Sequence, residues 1–149
     1  MTELTLSEFV DKLDEAMWVL MKEFSRRQMR ELLKEKLTLS QFLILNFLHK
    51  ERECKMSYLS RFMQVSMPAM TGVVERLVRQ GFVRRDIDPK DRRIVKVKLT
   101  PKGEVLLKRI NSQRHKTIKE IFSKISSSDR KEYLRILTQL KDRLLEEKR

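Results

Sequence analysis

A single cysteine, Cys54, leaves this chain without any intramolecular disulfide and suits it to a reducing compartment. Glycine is equally scarce. Gly72, Gly81 and Gly103 are each accounted for by helix packing or a helix cap, so no phosphate-cradling loop is present. The G-x-S-x-G and H-E-x-x-H patterns are missing too, and nothing in the sequence carries an enzyme signature. His49 and His115 lie far apart without ligand-spaced partners, which speaks against a metal site; no cofactor is expected. The densest apolar run, residues 42–48, is interrupted by Asn46 and is far too short to span a bilayer. The N-terminus has neither a basic stretch nor the apolar run of a signal peptide, so the expected location is the cytoplasm, without a membrane partner. There is no internal repeat and no low-complexity linker.

What the sequence does have is positive charge. Lys and Arg number 34 against 21 Asp and Glu, a net charge of +13, and 37% of residues are charged where ~25% is typical. A hydrophobic content of 40% is enough for a core, and 149 residues suit one domain, or one compact unit with a dimerisation extension. A balance this basic favours a polyanion: DNA, RNA or an acidic membrane surface. The alternative is a charge-rich surface with no particular partner, and the distribution argues against it. Residues 76–98 hold nine cations (Arg76, Arg79, Arg84, Arg85, Lys90, Arg92, Arg93, Lys96, Lys98) against Asp86, Asp88 and Asp91, whereas residues 1–23 hold two cations and six acids.

Hydrophobic spacing divides the chain into helices around a small middle unit. Leu6, Phe9, Val10, Leu13, Met17, Leu20, Met21 and Phe24 keep i, i+3/i+4 spacing through Leu32-Leu33, predicting one long helix capped by Thr5 or Ser7. A second helix is expected from a cap at Ser40 to about Lys50, burying Phe42, Leu43, Leu45, Phe47 and Leu48. A short third covers residues 57–62, with Ser57 as its cap and Tyr58, Leu59 and Phe62 as its apolar set. After the tight connection Gln64-Val65-Ser66, a fourth helix starts with Ser66 as cap and Pro68 in its first turn. It buries Ala69, Val73, Val74 and Leu77 and stops at Gly81. Thr100-Pro101 opens a fifth helix reaching Ile125, ~37 Å at ~1.5 Å per residue, and Ser126-Ser127-Ser128 separates it from a last one carrying Leu134, Leu137, Leu140 and Leu144.

Between the fourth and fifth helices the pattern changes period. Val95, Val97 and Leu99 alternate with Lys96 and Lys98, and Asp88-Pro89 supplies turn chemistry, so residues 84–99 read as a β-hairpin with Lys90, Arg92 and Arg93 at its tip. The third helix, the turn and the fourth helix form a helix-turn-helix, with the hairpin as its wing. The expected fold is mainly α with a small β-hairpin wing: a winged helix-turn-helix (residues 37–100) flanked by N-terminal (1–36) and C-terminal (101–149) dimerisation helices.

At this point the chain resembles the MarR family of transcriptional regulators along its whole length. Asp88-Pro89-Lys90-Asp91-Arg92-Arg93 with Leu99-Thr100-Pro101-Lys102-Gly103 is similar to that family's wing signature, D-x-R-D-R-R then L-T-x-x-G. Residues 66–81 are similar to its recognition helix. Two departures stand out: Lys90 replaces the usual Arg, and Gly72 stands where several relatives carry a larger, base-contacting side chain. The resemblance implies a homodimer that reads a pseudo-palindromic operator in double-stranded DNA, as a repressor. It further implies release by a small phenolic or carboxylated effector bound between the dimer helices and the DNA unit.

On these grounds the recognition-helix candidates are Ser66, Met67, Pro68, Ala69, Thr71, Gly72 and Arg76, and the wing candidates are Lys90, Asp91, Arg92 and Arg93. Ser40 and Ser57 read as caps whose helix N-termini can also hold phosphates. At the wing tip two arrangements are open: Asp91 pairs with Arg93 and leaves Arg92 free, or Arg93 enters a narrow minor groove while Arg92 holds the pair. Met17, Trp18, Met21 and Met56 are candidates for an effector pocket, with plain core or dimer interface as the alternative. The cations around Cys54 favour a thiolate, although regulators of this kind that sense oxidants carry their cysteine in the N-terminal region; a bystander thiol is the simpler account. Two other functions fit the basic patch: a non-specific nucleic-acid binder that compacts DNA or binds RNA, and a protein-interaction adaptor. A capped recognition helix beside a wing favours sequence-specific readout.

Overall fold

A computed structural model describes residues 4–147. In order along the chain these form α1 (Leu6–Lys34), α2 (Leu39–Glu51), β1 (Glu53–Lys55), α3 (Met56–Phe62), α4 (Met67–Arg79), β2 (Val83–Ile87), β3 (Val95–Leu99), α5 (Pro101–Phe122) and α6 (Ser127–Glu146). Two compact units divide between Gln113 and Arg114, within α5. The fold is mainly helical with a small antiparallel sheet, as the periodicities indicate. Among the described residues no helix is long and apolar enough to cross a membrane.

Caps set the helix boundaries, and here the structure corrects three expectations. Thr38, not Ser40, caps α2: its Oγ1 accepts from Gln41 N (3.2 Å) while Gln41 Oε1 accepts from Thr38 N (2.9 Å), a reciprocal box that Ser40 has no partner to make. Ser40 therefore sits inside the first turn, exposed. The helix α3 begins one residue earlier than expected, because β1 carries extended backbone up to Lys55; Lys55 is the N-cap without a side-chain bond, and Ser57 lies within the helix. Finally, α5 ends at Phe122, where Ser123 Oγ donates to Glu120 O (2.7 Å), so its 22 residues span ~33 Å. At α1 the choice falls on Thr5, which makes a capping box with Glu8.

The core of the first unit is built from Leu32, Ile44, Leu45, Leu48, Leu59, Met70, Val74, Leu77, Val97, Leu106 and Leu107. Two helices are rotated relative to their sequence reading. On α2, Ile44 is buried and Leu43 exposed, and on α4 the stripe runs through Met70, Val74 and Leu77 while Ala69 is exposed and Val73 lies at the core margin. Of the α3 set only Leu59 is buried; Phe62 and Tyr58 stay half-exposed against Phe47, with ring centroids 4.3 and 5.8 Å away.

Instead of a two-stranded hairpin the wing is part of a three-stranded sheet ordered β1-β3-β2. The short β1 pairs antiparallel with β3 (Cys54 opposite Val97), and β2 pairs with its other edge (Arg85 opposite Val97). Alternation then sorts the side chains. Cys54, Val83, Arg85, Ile87, Val95, Val97 and Leu99 share one face, and Glu53, Lys55, Arg84, Asp86, Lys96 and Lys98 share the other.

Candidate nucleic-acid interface

The turn between α3 and α4 is a helix C-terminus closed by a left-handed residue. Gln64 has φ +53°, Gln64 N donates to Arg61 O (3.2 Å) and Val65 N to Ser60 O (3.0 Å). Ser66 follows as N-cap of α4, its Oγ accepting from Ala69 N at 3.3 Å, with Pro68 in the first turn. Because Met70, Val74 and Leu77 anchor the inner stripe, the outer face presents Met67, Pro68, Ala69, Glu75, Arg76 and Arg79, with Thr71 and Gly72 partly exposed. The Thr71 hydroxyl donates to Met67 O (2.9 Å), which leaves its methyl and the acceptor side of its oxygen for a partner. At the far end Gly81 (φ +78°) turns the chain into the wing, and Phe82 N donates back to Leu77 O at 3.0 Å.

Two aspartates shape the wing tip. Asp88 Oδ1 accepts from Lys90 N (2.8 Å) and Asp91 N (3.3 Å), and Asp88 N donates to Ile94 O across the loop mouth (2.9 Å). Asp91 Oδ1 accepts from Arg93 N (3.0 Å) and Arg93 Nε (3.2 Å). Of the two arrangements left open by the sequence, the structure therefore shows the Asp91–Arg93 pair. The Arg93 side chain is 91% exposed, so the pair orients the guanidinium and adds little stability of its own. Among the described residues, no ion-pair partner faces Arg92 or Lys90, and both are exposed.

The wet face of the sheet removes two cations from the patch inferred by counting. Glu53 sits between Lys96 Nζ (3.0 Å) and Lys98 Nζ (2.9 Å), Asp88 approaches Lys96 (3.4 Å), and Asp86 approaches Lys98 and Arg84 (3.5 Å each). Hydrogen bonds from Lys98 and Lys96 hold the Glu53 carboxyl below its ordinary 4.5, and the Lys90 N–H leads the groups that hold Asp88 below 3.8. Depressed carboxylates contribute stability that is present above their unfolded values and lost as pH falls through the folded ones. The melting midpoint is accordingly expected to fall between about pH 5 and pH 3, with Glu53→Gln flattening that slope. Calorimetry across that range checks it, and an unchanged slope in Glu53→Gln would remove Glu53 from the account.

Between the start of α4 and the wing lies a cleft of about 250 Å³ lined by Lys55, Met56, Ser57, Met67, Thr71, Arg85, Arg93, Ile94 and Val95. It brings Met56, Ser57, Met67, Thr71 and Arg93 from the sequence-predicted set into one place. Lys55 and Arg85 belong with them and were missed. Arg85 had a signal, since it interrupts the apolar face of β2 between Val83 and Ile87. Lys55 had none, because three residues of β1 are too few to show alternation. Met17, Trp18 and Met21 stand exposed on α1, whereas Met56 is buried in the core of the first unit. Cys54 is buried on the inner sheet face, and burial, reinforced by Glu51, pushes its thiol up, which agrees with a bystander thiol and not with a thiolate.

Residues 37–95, which carry α2, the helix-turn-helix and most of the wing, match the model of the MarR family. The chain is 27% identical over 101 residues to the HTH-type transcriptional regulator YsmB of Bacillus subtilis, a match spanning 67% of this chain and 69% of that one. In structure it is similar to a MarR family protein from Bacillus stearothermophilus, with TM-score 0.82 at 22% identity over 95% of this chain and 99% of that one. It also superposes on a MepR variant from S. aureus bound to an oligodeoxyribonucleotide, with TM-score 0.72 at 19% identity over 95% and 99% of the two chains. In this chain the wing signature has a structural meaning: its aspartates hold the loop backbone, which leaves Lys90 and Arg92 without ion-pair partners among the described residues and Arg93 oriented.

Proposed function

We propose that this chain is a sequence-specific double-stranded-DNA-binding transcriptional regulator that acts as a homodimer on a pseudo-palindromic operator. The observation that carries the reading is the cleft where the capped start of α4 and the aspartate-braced wing tip lie side by side, with Lys55, Arg85 and Arg93 on its walls. A duplex whose major groove takes α4 presents its phosphate backbone to that cleft and its minor groove to the wing. Ser66, Met67, Pro68, Ala69, Thr71, Gly72 and Arg76 then face bases and the adjoining backbone. Arg93, oriented by Asp91, enters the minor groove, and Lys90, Arg92, Ser40 in the first turn of α2 and Ser57 in the first turn of α3 meet phosphates. Repression, and the cytoplasm as its location, belong to this reading.

Residues 1–36 and 101–149 supply the dimer. In the single chain α1 buries only Leu32 over 29 residues, and α6 buries none over 20. Any effector pocket drawing on Met17, Trp18 and Met21 then needs a second chain over α1, and a small aromatic or carboxylated compound released in exchange for DNA is the finer form of the proposal.

Selection of bound duplexes from a random pool tests the core of it: one enriched sequence with dyad symmetry is expected. On that sequence Asp91→Asn and Arg93→Ala should fail together, whereas Arg92→Ala should weaken all duplexes and lower the log–log salt slope by ~0.9. Enrichment of no sequence, with equal losses for all three variants, would favour the non-specific nucleic-acid binder.

A further inference from the structure

The structure corrects the packing expected for Gly72, which has no neighbour that a Cβ would meet. After proline, glycine is the least favourable residue in a helix interior, and position 72 is the sixth of the 13 residues of α4. The other two glycines are required by the backbone: Gly81 by its φ of +78°, Gly103 because a Cβ there would overlap the Phe82 carbonyl. At Gly72 a Cβ would meet no atom within 4 Å, and its φ is not left-handed. Alanine would fit, and the helix would gain by it.

The requirement therefore comes from outside the chain. Gly72 lies on the outer face of α4, with Pro68 one turn before it, Arg76 one turn after it and Thr71 beside it. The missing Cβ leaves a dent about one methyl deep. Its floor offers no free donor or acceptor, because the helix ties up its own backbone groups, and the neighbouring Thr71 hydroxyl has its proton committed to Met67 O at 2.9 Å and can only accept. A base edge rich in hydrogen-bonding atoms would be left unsatisfied against such a surface. The C5-methyl of thymine is the major-groove group that needs contact and no partner.

We propose that Gly72 is a specificity-determining position whose bare backbone lets α4 seat against a thymine methyl in the major groove. This rests on the DNA-reading function above and adds to it where the helix touches the bases and by what chemistry. It also explains why a chain that lacks a long side chain at this point can still discriminate there: selectivity comes from close approach, and a Cβ would hold the helix off.

The test uses the full chain and the duplex enriched by wild-type selection, measured alongside a random duplex of the same length. Gly72→Ala and Gly72→Ser should melt at or above wild type and near it, respectively, and should lose far less on the random duplex than on the selected one. Both should lose roughly 5- to 150-fold on the selected duplex, the range for one lost base-pair contact. Replacing thymines one at a time by deoxyuridine should identify one position per half-site that weakens wild-type binding about fourfold, the worth of one buried methyl, and leaves Gly72→Ala unaffected. Undiminished affinity of both variants for the selected duplex overturns the proposal. Loss in both variants without a uracil-sensitive position overturns its thymine component. A wild type that enriches no duplex overturns the sequence-specific reading beneath it, and is seen before any variant is made.

Discussion

Replacing Gly103 with alanine is expected to destabilise the winged unit by about 3 kcal/mol, the sum of local overpacking (~1–3 kcal/mol) and one strained hydrogen bond (~1 kcal/mol). The added methyl would collide with the carbonyl carbon and oxygen of Phe82 and lie 3.2 Å from Leu99 Cδ2. Neither neighbour can retreat cheaply. Phe82 O accepts from Thr100 N at 3.0 Å, and Thr100 Oγ1 both donates to Gly81 O (2.5 Å) and accepts from Gly103 N (3.1 Å). The helix start, the end of α4 and the root of β3 are thus locked through Thr100 and Gly103, the Thr and Gly of the motif L-T-x-x-G as it stands here. At about 2–4 °C per kcal/mol for a chain of this size, the midpoint should fall by roughly 6–12 °C in a circular-dichroism melt. A Gly103→Ala chain that melts with the wild type would show that α5 can slide away from Phe82 without loss.

The second large effect concerns α6. Leu137, Leu140 and Leu144 recur at helical spacing and are 43%, 53% and 58% exposed in the single chain, with Leu134 at 65% beside them. Burying one such side chain is worth ~1.5–3 kcal/mol, so a helix that buries nothing by itself loses a large apolar stripe to water unless a second copy covers it. The double variant Leu137→Asp, Leu144→Asp is expected to sediment at half the wild-type mass while retaining its helical spectrum. Its affinity for a two-half-site operator should then fall by about 10²-fold or more, because the second half-site is no longer tethered to the first. Affinity for a single half-site should change little. A variant that remains dimeric would shift the interface to α1, whose Leu6, Phe9, Val10 and Leu13 are similarly uncovered.

How much was legible follows from how local each signal is. Ser66, Pro68 and Gly81 mark the recognition helix from within its own turns, and Asp88-Pro89 with the Val95–Leu99 alternation marks the wing, because caps, turns and period-2 patterning act between residues a few positions apart. The order of helices and the winged class came from those signals alone. At α2 a cap at Ser40 overlooks a local signal, because Thr38 with Gln41 three residues on fits the capping box that the reciprocal bond shows.

Only tertiary structure decided which cations are available. Counting along residues 76–98 treats Lys96 and Lys98 as equals of Arg92, but pairing β3 with β1 brings Glu53, more than forty positions away in sequence, between the two lysines. The same strand pairing sets Lys55 and Arg85 beside the start of α4, completing a cleft that no spacing in the sequence describes. Sequence by itself determined the helices, the wing and the sign of the chain's own charge, since propensity, capping and composition need no distant contact. The phase of α4 on the core, the third strand, the neutralised lysines and the shape of the cleft were decided by the fold, because each depends on which remote side chains the sheet register and the helix packing bring within a few ångströms.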